Sequence, residues 1–299
     1  MDIILRVASY TLLFALGAYL RNKKIIKEKQ ADKLLQLLFY IGLPITVFGS
    51  IASTNIQLDS IYLPIISIAI TLISGLVAYI IGKSLKIKPK QQGILVVSTM
   101  IMNTGLTLPY FGAFYGQEGV ALFSLFDLGN IITLCTAVYI IALKYGHQEA
   151  TTKNIIKKIA TTPLIYVIIA AFALKAMQIQ LPAPIIQLSG NINLAMFMVV
   201  MFTLGLFFEL KIHKPKLVAL AIATRYITGF ILGYIIVEIF NIQGIERAVI
   251  ITAAASPNGY TTLIYARIAK LDHQYAASTV SLSLIIGLVL IPILLYAIK

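Results

Sequence analysis

The chain is built of long apolar runs separated by short charged stretches. Ten runs fall near residues 3–20, 34–53, 61–82, 93–115, 120–143, 162–178, 187–208, 217–240, 244–268 and 274–298. A helix that spans a bilayer needs roughly 20 mostly apolar residues, so the pattern predicts an all-α integral membrane protein with ten transmembrane helices. The first run follows Met-Asp with no basic stretch before it and no small-residue cleavage site ahead of Arg21 and Asn22. It reads as a retained helix, not a signal peptide.

Composition agrees with lipid as the solvent: 59% of the residues are apolar, 12% are charged, and the mean hydropathy is +0.92, whereas about a quarter of a soluble domain is charged. The net charge of +13 could suggest a nucleic-acid partner, but its distribution points elsewhere. The loops after the odd-numbered runs hold 19 of the 24 basic residues, among them Arg21, Lys24, Lys83, Lys88, Lys144, Lys157, Lys211, Lys214 and Lys270, while the loops after even-numbered runs hold Lys175 and Arg247. Alternation of this kind is the positive-inside rule at work. It places the odd loops in the cytoplasm and both termini outside, in the cytoplasmic membrane, with no role for nucleic acid.

The single cysteine, Cys135, rules out an intramolecular disulfide and a cysteine-based metal cluster, and His147, His213 and His273 lie in loops without ligand spacing. No metal site or cofactor is expected beyond a coupling ion, proton or sodium. The sequence also lacks a Walker A loop, a GxSxG elbow and an HExxH helix, so neither ATP-driven transport nor hydrolysis is indicated.

A shift of 155 residues lays NTGLTLPY, from Asn103 to Tyr110, over NGYTTLIY, from Asn258 to Tyr265, with Asn103/Asn258, Thr107/Thr262, Leu108/Leu263 and Tyr110/Tyr265 identical. The same shift superposes runs one to five on six to ten, giving repeats at 1–150 and 151–299. An odd number of spans per repeat inverts the second copy. Both matched segments are poor continuous helix, the first through Gly105 and Pro109, the second through Ser256, Pro257 and Gly259. Paired breaks at matching depth in runs four and nine predict a binding site there, because freed backbone groups in hydrocarbon must find partners. Asn103, Thr104, Asn258 and Thr261 supply amides and hydroxyls beside the breaks, and half-helix amino ends there suit an anion. The same residues could simply cap the half-helices.

Asp127 sits in FDLGN, Phe126 to Asn130, about eight residues or roughly 12 Å into the fifth run. A carboxylate at that depth is a candidate for proton or cation coupling. Arg225 reaches a similar depth in run eight, either as a static partner of Asp127 or as a fork of donors for a substrate carboxylate.

YIGLPITVF (Tyr40 to Phe48), NTG followed by Pro109 and FYG (Asn103 to Gly116), FDLGN, and PNGYTTLIYAR (Pro257 to Arg267) occur in this order along the chain. In these motifs the chain resembles the auxin efflux carriers and their bacterial relatives, among them malonate and other organic-anion permeases, over essentially its whole length. The resemblance implies crossing, broken helices four and nine, a scaffold of helices one, two, six and seven that also makes a homodimer, and a transport unit of helices three to five and eight to ten that moves like an elevator. Thr262 stands where plant carriers tend to have a second proline, and Ile268 where an acidic residue often follows the basic one.

The function expected on these grounds is secondary transport of a small organic anion, a carboxylate. Asn103, Thr104, Gly105, Pro109, Pro257, Asn258, Gly259 and Thr261 would bind it, and Asp127, Asn130 and Arg225 would set charge and coupling. The alternatives are a sodium-coupled symporter like the related bile-acid carriers and a non-transporting membrane sensor. No nucleophile, base and orienting residue stand together, so an enzyme is not expected. Reporter tags at residue 150 and at the carboxyl end should face opposite sides, the first cytoplasmic; both on one side would rule out ten spans with inverted repeats.

Overall fold

The computed structural model describes residues 3–53, 60, 62–147, 151–179, 181–208 and 211–298. These residues form α1 (Ile3–Asn22), α2 (Glu28–Leu37), α3 (Leu43–Ser53), α4 (Tyr62–Ser84), α5 (Pro89–Met100), α6 (Thr104–Thr133), α7 (Tyr139–Tyr145), α8 (Thr152–Ala160), α9 (Pro163–Ala176), α10 (Ala183–Leu206), α11 (Pro215–Ile239), α12 (Gly244–Ala254), α13 (Thr261–Ile268) and α14 (His273–Ile298). Two π-helical turns, Leu38–Gly42 and Leu134–Val138, lead into α3 and α7. Among the described residues the extended pairing is limited to one isolated bridge.

Five stretches are long and apolar enough to cross a membrane by length and composition: Tyr62–Ser84, Thr104–Tyr145, Ala183–Leu206, Pro215–Ile239 and His273–Ile298. The fourth and ninth apolar runs fall on shorter pieces, α5 with the start of α6 and α12 with α13, because each is interrupted. At 42 residues, Thr104–Tyr145 would measure roughly 63 Å as one rod, twice the apolar thickness of a bilayer. It turns back at Gly116, whose φ of 62° and ψ of −145° are open only to glycine. The Phe111 and Phe123 rings, roughly 18 Å apart along a straight helix, lie with centroids 5.0 Å apart.

The chain divides into two compact units. The first holds α1, α2, α3, α9, α10 and the stretch Gly105–Leu125 of α6. Its α1 and α10 pack backbone to backbone: a Cβ on Gly17 would stand 2.2 Å from the Phe202 carbonyl oxygen, and one on Gly205 2.1 Å from that of Phe14. Small residues at such contacts are how helices associate in lipid, where burial of apolar area gives little drive.

The second unit holds α4, α5, the remainder of α6, α7, and α11 to α14. Its core gathers Ile94, Leu95, Val97, Met100, Val138, Ile222, Tyr226, Tyr265 and Tyr275. In α4 the buried stripe is Leu63, Ser67, Ile70, Thr71, Ser74, Gly75, Ala78 and Gly82, at helical spacing. The opposite face presents Ile65, Leu72, Ile73, Leu76 and Ile80 outward. The same inversion holds in α11, which buries Arg225 and exposes Ile227, Phe230, Ile231 and Tyr234. Polar atoms inside and large apolar side chains outside suit a hydrocarbon solvent.

At one end of this unit Asp272 ties three elements together. Its carboxylate accepts from the Tyr275 backbone N–H at 3.1 Å, the third position of α14, and so caps that helix. It also pairs with Lys214 just before α11 and lies 3.5 Å from Gln91 Nε2 in the first turn of α5. Burial raises the Asp272 pKa, but the Lys214 hydrogen bond, the Tyr275 N–H and the Lys214 charge outweigh it and hold the carboxyl below its ordinary value. With the folded pKa below the unfolded value of about 3.9, this stabilisation is complete above about pH 5 and is lost as pH falls through the folded value. Asp272→Asn should therefore cost up to about 1 kcal/mol at pH 7, and the difference in melting temperature from the parent should narrow progressively as pH is lowered below about 3.9. A difference that stays constant with pH would exclude the charge as its source.

Candidate functional site

Helix α5 stops at Met100 and α6 starts at Thr104; α12 stops at Ala254 and α13 starts at Thr261. The two interruptions meet. Asn103 donates its backbone N–H to the Pro257 carbonyl at 2.9 Å, and Gly259 donates to the Ile101 carbonyl at 2.9 Å, which makes Met102 and Asn258 partners in an antiparallel bridge. A Cβ on Gly259 would lie 2.2 Å from Ile101 Cγ2 and 2.8 Å from the Met102 carbonyl oxygen, so only glycine lets the segments approach this closely.

Proline is not what opens the first interruption. The expected weak segment begins at Asn103, yet helix resumes at Thr104, and Pro109 lies buried inside α6. The extended residues Ile101, Met102 and Asn103 lie ahead of it, held by pairing with the second interruption. Pro257 does lie in the second interruption, packed where Gly287 leaves room for its ring. Gly105 and Pro109 belong to the first unit; the other candidate residues belong to the second.

The side chains of both asparagines serve the crossing. Asn103 Nδ2 lies 3.4 Å from the Asn258 carbonyl, and Asn258 Nδ2 donates to the Ser98 carbonyl at 2.8 Å. Among the described residues, Asn258 Oδ1 is buried with no hydrogen-bond partner, as are the hydroxyls of Thr99 and Thr262. Backbone amides at each interruption also find a side chain from a later helix. Asn258 N–H donates to Ser283 Oγ at 2.9 Å, and Met102 N–H points at Asn130 Oδ1 at 3.5 Å. Thr104 and Thr261 open α6 and α13 and are half-buried.

Asp127 and Arg225 are not partners. The Asp127 carboxylate accepts from Asn130 Nδ2 at 2.8 Å and from the Thr104 hydroxyl, and forms no ion pair among the described residues. A chain of contacts thus runs from Thr104 and Asp127 through Asn130 to the backbone of the first interruption. Arg225 is fully buried and makes four hydrogen bonds to the helix ends beside the crossing: Nε to the Ser256 carbonyl at 3.0 Å, Nη1 to Thr99 O at 3.0 Å, and Nη2 to Ala254 O at 2.8 Å and Ser256 Oγ at 3.3 Å. Sequence reading missed Ser98, Thr99 and Ser283. Ser98 and Thr99 contribute carbonyls, which carry no side-chain signal, and a lone serine in an apolar helix looks like any packing residue.

The Leu134–Val138 π turn adds one more tie. Its widened geometry leaves the Leu134 carbonyl to accept from Tyr265 Oη at 2.6 Å. Tyr265 is one of the residues identical between the repeats.

The profile of a family described as "Membrane transport protein" matches residues 2–295. An uncharacterized transporter of Methanocaldococcus jannaschii is 27% identical over 97% of this chain and 96% of its own. A second uncharacterized transporter, from Methanothermobacter thermautotrophicus, is 21% identical over 96% of this chain and 95% of its own. The chain belongs to the membrane transport protein family, the auxin efflux carrier-like group that its motifs resemble.

The crossing makes a stability prediction of its own. Gly259→Ala forces a methyl into Ile101 and the Met102 carbonyl and should cost about 1–3 kcal/mol. Thermal melting in detergent measures this, and an unchanged melting temperature would mean that the two segments separate at no cost.

Proposed function

We propose, with membership of the membrane transport family as the premise, that this chain is a secondary carrier of a small organic anion, a carboxylate, bound where the two interruptions cross. The observation that carries the reading is the chemistry gathered there: two buried asparagines, the amino end of α13 and, among the described residues, threonine hydroxyls without partners and a buried guanidinium with no carboxylate paired to it. Helix amino ends and a guanidinium both favour an anion. Asn103 and Asn258 orient it, with Thr104 and Thr261 at the starts of the two half-helices. Pro257 and Gly259 shape the backbone around it.

Asp127 is the coupling group in this reading. Its carboxylate holds the Asn130 amide, and Asn130 Oδ1 faces the Met102 N–H of the first interruption. Taking up a proton removes one acceptor from the Asn130 amide, so the charge on Asp127 is felt at the binding segment. A proton is therefore the proposed coupling ion.

The fold belonging to this proposal has ten spans, two inverted repeats at 1–150 and 151–299, crossing broken helices four and nine, and both termini outside the cytoplasmic membrane. The alternating basic loops and the matched segments of the 155-residue shift support it. Elevator-like motion of a transport unit against a homodimeric scaffold completes the proposal by family resemblance. In its favour, predicted spans one, two, six and seven share one compact unit, and three, eight and ten share the other.

The test is uptake of radiolabelled carboxylates, malonate and indole-3-acetate included, into proteoliposomes under separate proton and sodium gradients. Saturable uptake driven by the proton gradient is expected. Asn103→Ala should lower it about tenfold or more, the cost of roughly one lost hydrogen bond. Asp127→Asn should leave uptake down a substrate gradient but abolish its response to the proton gradient. Ligand binding without any uptake would replace the carrier with a sensor.

A further inference from the structure

The two terminal nitrogens of Arg225 bond to Thr99 O and Ala254 O, and these residues are 155 positions apart, the repeat shift itself. The guanidinium therefore joins equivalent points of the two repeats, the last turn of α5 and the last residue of α12. Nε and a second bond from Nη2 go to Ser256, the second residue beyond α12. Position 70, which the shift pairs with Arg225, is Ile70, so one side chain from one repeat serves both.

The electrostatics explain why a cation belongs there. Each helix ends in carbonyls without intrahelical partners and carries roughly half a negative charge at that end. Two such ends converge on Arg225, which is fully buried and has no acidic partner among the described residues. A buried charge is tolerated when hydrogen bonds satisfy it, and here carbonyl dipoles take the part of a counter-ion. In carriers with interrupted helices, carbonyls of this kind are the ligands that bind sodium.

We propose that Arg225 is a resident cation: tethered through α11, it occupies the position at the crossing that a bound sodium ion would fill, so the interruptions stay assembled without one. The carbonyls that would ligate sodium already accept from the guanidinium, and a second cation beside it would be repelled. Arg225 is thus a positioning residue and not a substrate ligand. The inference concerns the crossing alone and holds whichever substrate is carried.

Thermal melting of the purified protein without substrate tests it, so its failure and that of the carrier reading are told apart. The melting temperature of the parent should be the same in sodium chloride and in choline chloride at equal ionic strength. Arg225→Met, similar in length but uncharged, should melt about 5–15 °C lower, and Arg225→Lys should lie between the two. Arg225→Ala, where it folds, should gain stability saturably with millimolar methylguanidinium, a rescue that a residue merely filling space would not show. A saturable sodium-dependent rise in the parent, or Arg225→Lys melting no higher than Arg225→Met, would overturn the proposal.

Discussion

A helix that stops within an apolar layer leaves carbonyls at one end and amides at the other, and no water is at hand to take them. In hydrocarbon each unsatisfied group costs several kcal/mol, so an interruption persists only where the rest of the chain supplies partners. Much of the second unit can be read as that supply. The interruptions first satisfy each other, through the Asn103 and Gly259 backbone amides. Asn258 reaches the Ser98 carbonyl, Ser283 receives the Asn258 amide, and Arg225 takes three carbonyls. The close fit at Gly259 follows from the same requirement, since a bridge between two interruptions forms only if their backbones touch.

The two interruptions are met by different side chains. The first interruption faces Asn130 from α6, and the second faces Ser283 from α14. Asp127 has Leu282 as its equivalent under the 155-residue shift, and Arg225 has Ile70. Both charged groups beside the interruptions thus have apolar counterparts under the shift, so the two interruptions sit in unlike electrostatic surroundings although their sequences match at Asn103/Asn258 and Thr107/Thr262.

How far this was legible in the sequence depends on whether a feature is a pattern or a direction. Apolar runs, basic loops and the repeat are patterns along the chain, and each run falls on helix. Pro257 and Gly259 do lie between α12 and α13, but Gly105 and Pro109, expected to break run four, lie inside α6. The break between α5 and α6 lies at Ile101, Met102 and Asn103, fixed by pairing with a segment some 155 residues away. Depth placed Asp127 and Arg225 at one level, which made them candidate partners. Depth says nothing of azimuth, and Arg225 turns instead toward the ends of α5 and α12. No count of residue types could have found those acceptors, because they are main-chain oxygens.

This separation of Asp127 from Arg225 bears on how charge can be controlled at the crossing. Had the two formed an ion pair, neutralising either would strand the other, at a cost of about 3–5 kcal/mol for a buried pair. Here the guanidinium is balanced by carbonyls whose charge does not titrate, and it stays positive whatever happens at Asp127. The carboxylate is held by Asn130 and Thr104 instead, with no bond to Arg225. In the carrier proposed above, the crossing then has one fixed positive charge and one switchable negative charge. Protonation of Asp127 raises the net charge by one at the step where an anion would enter, and its release lowers it at the step where the anion would leave.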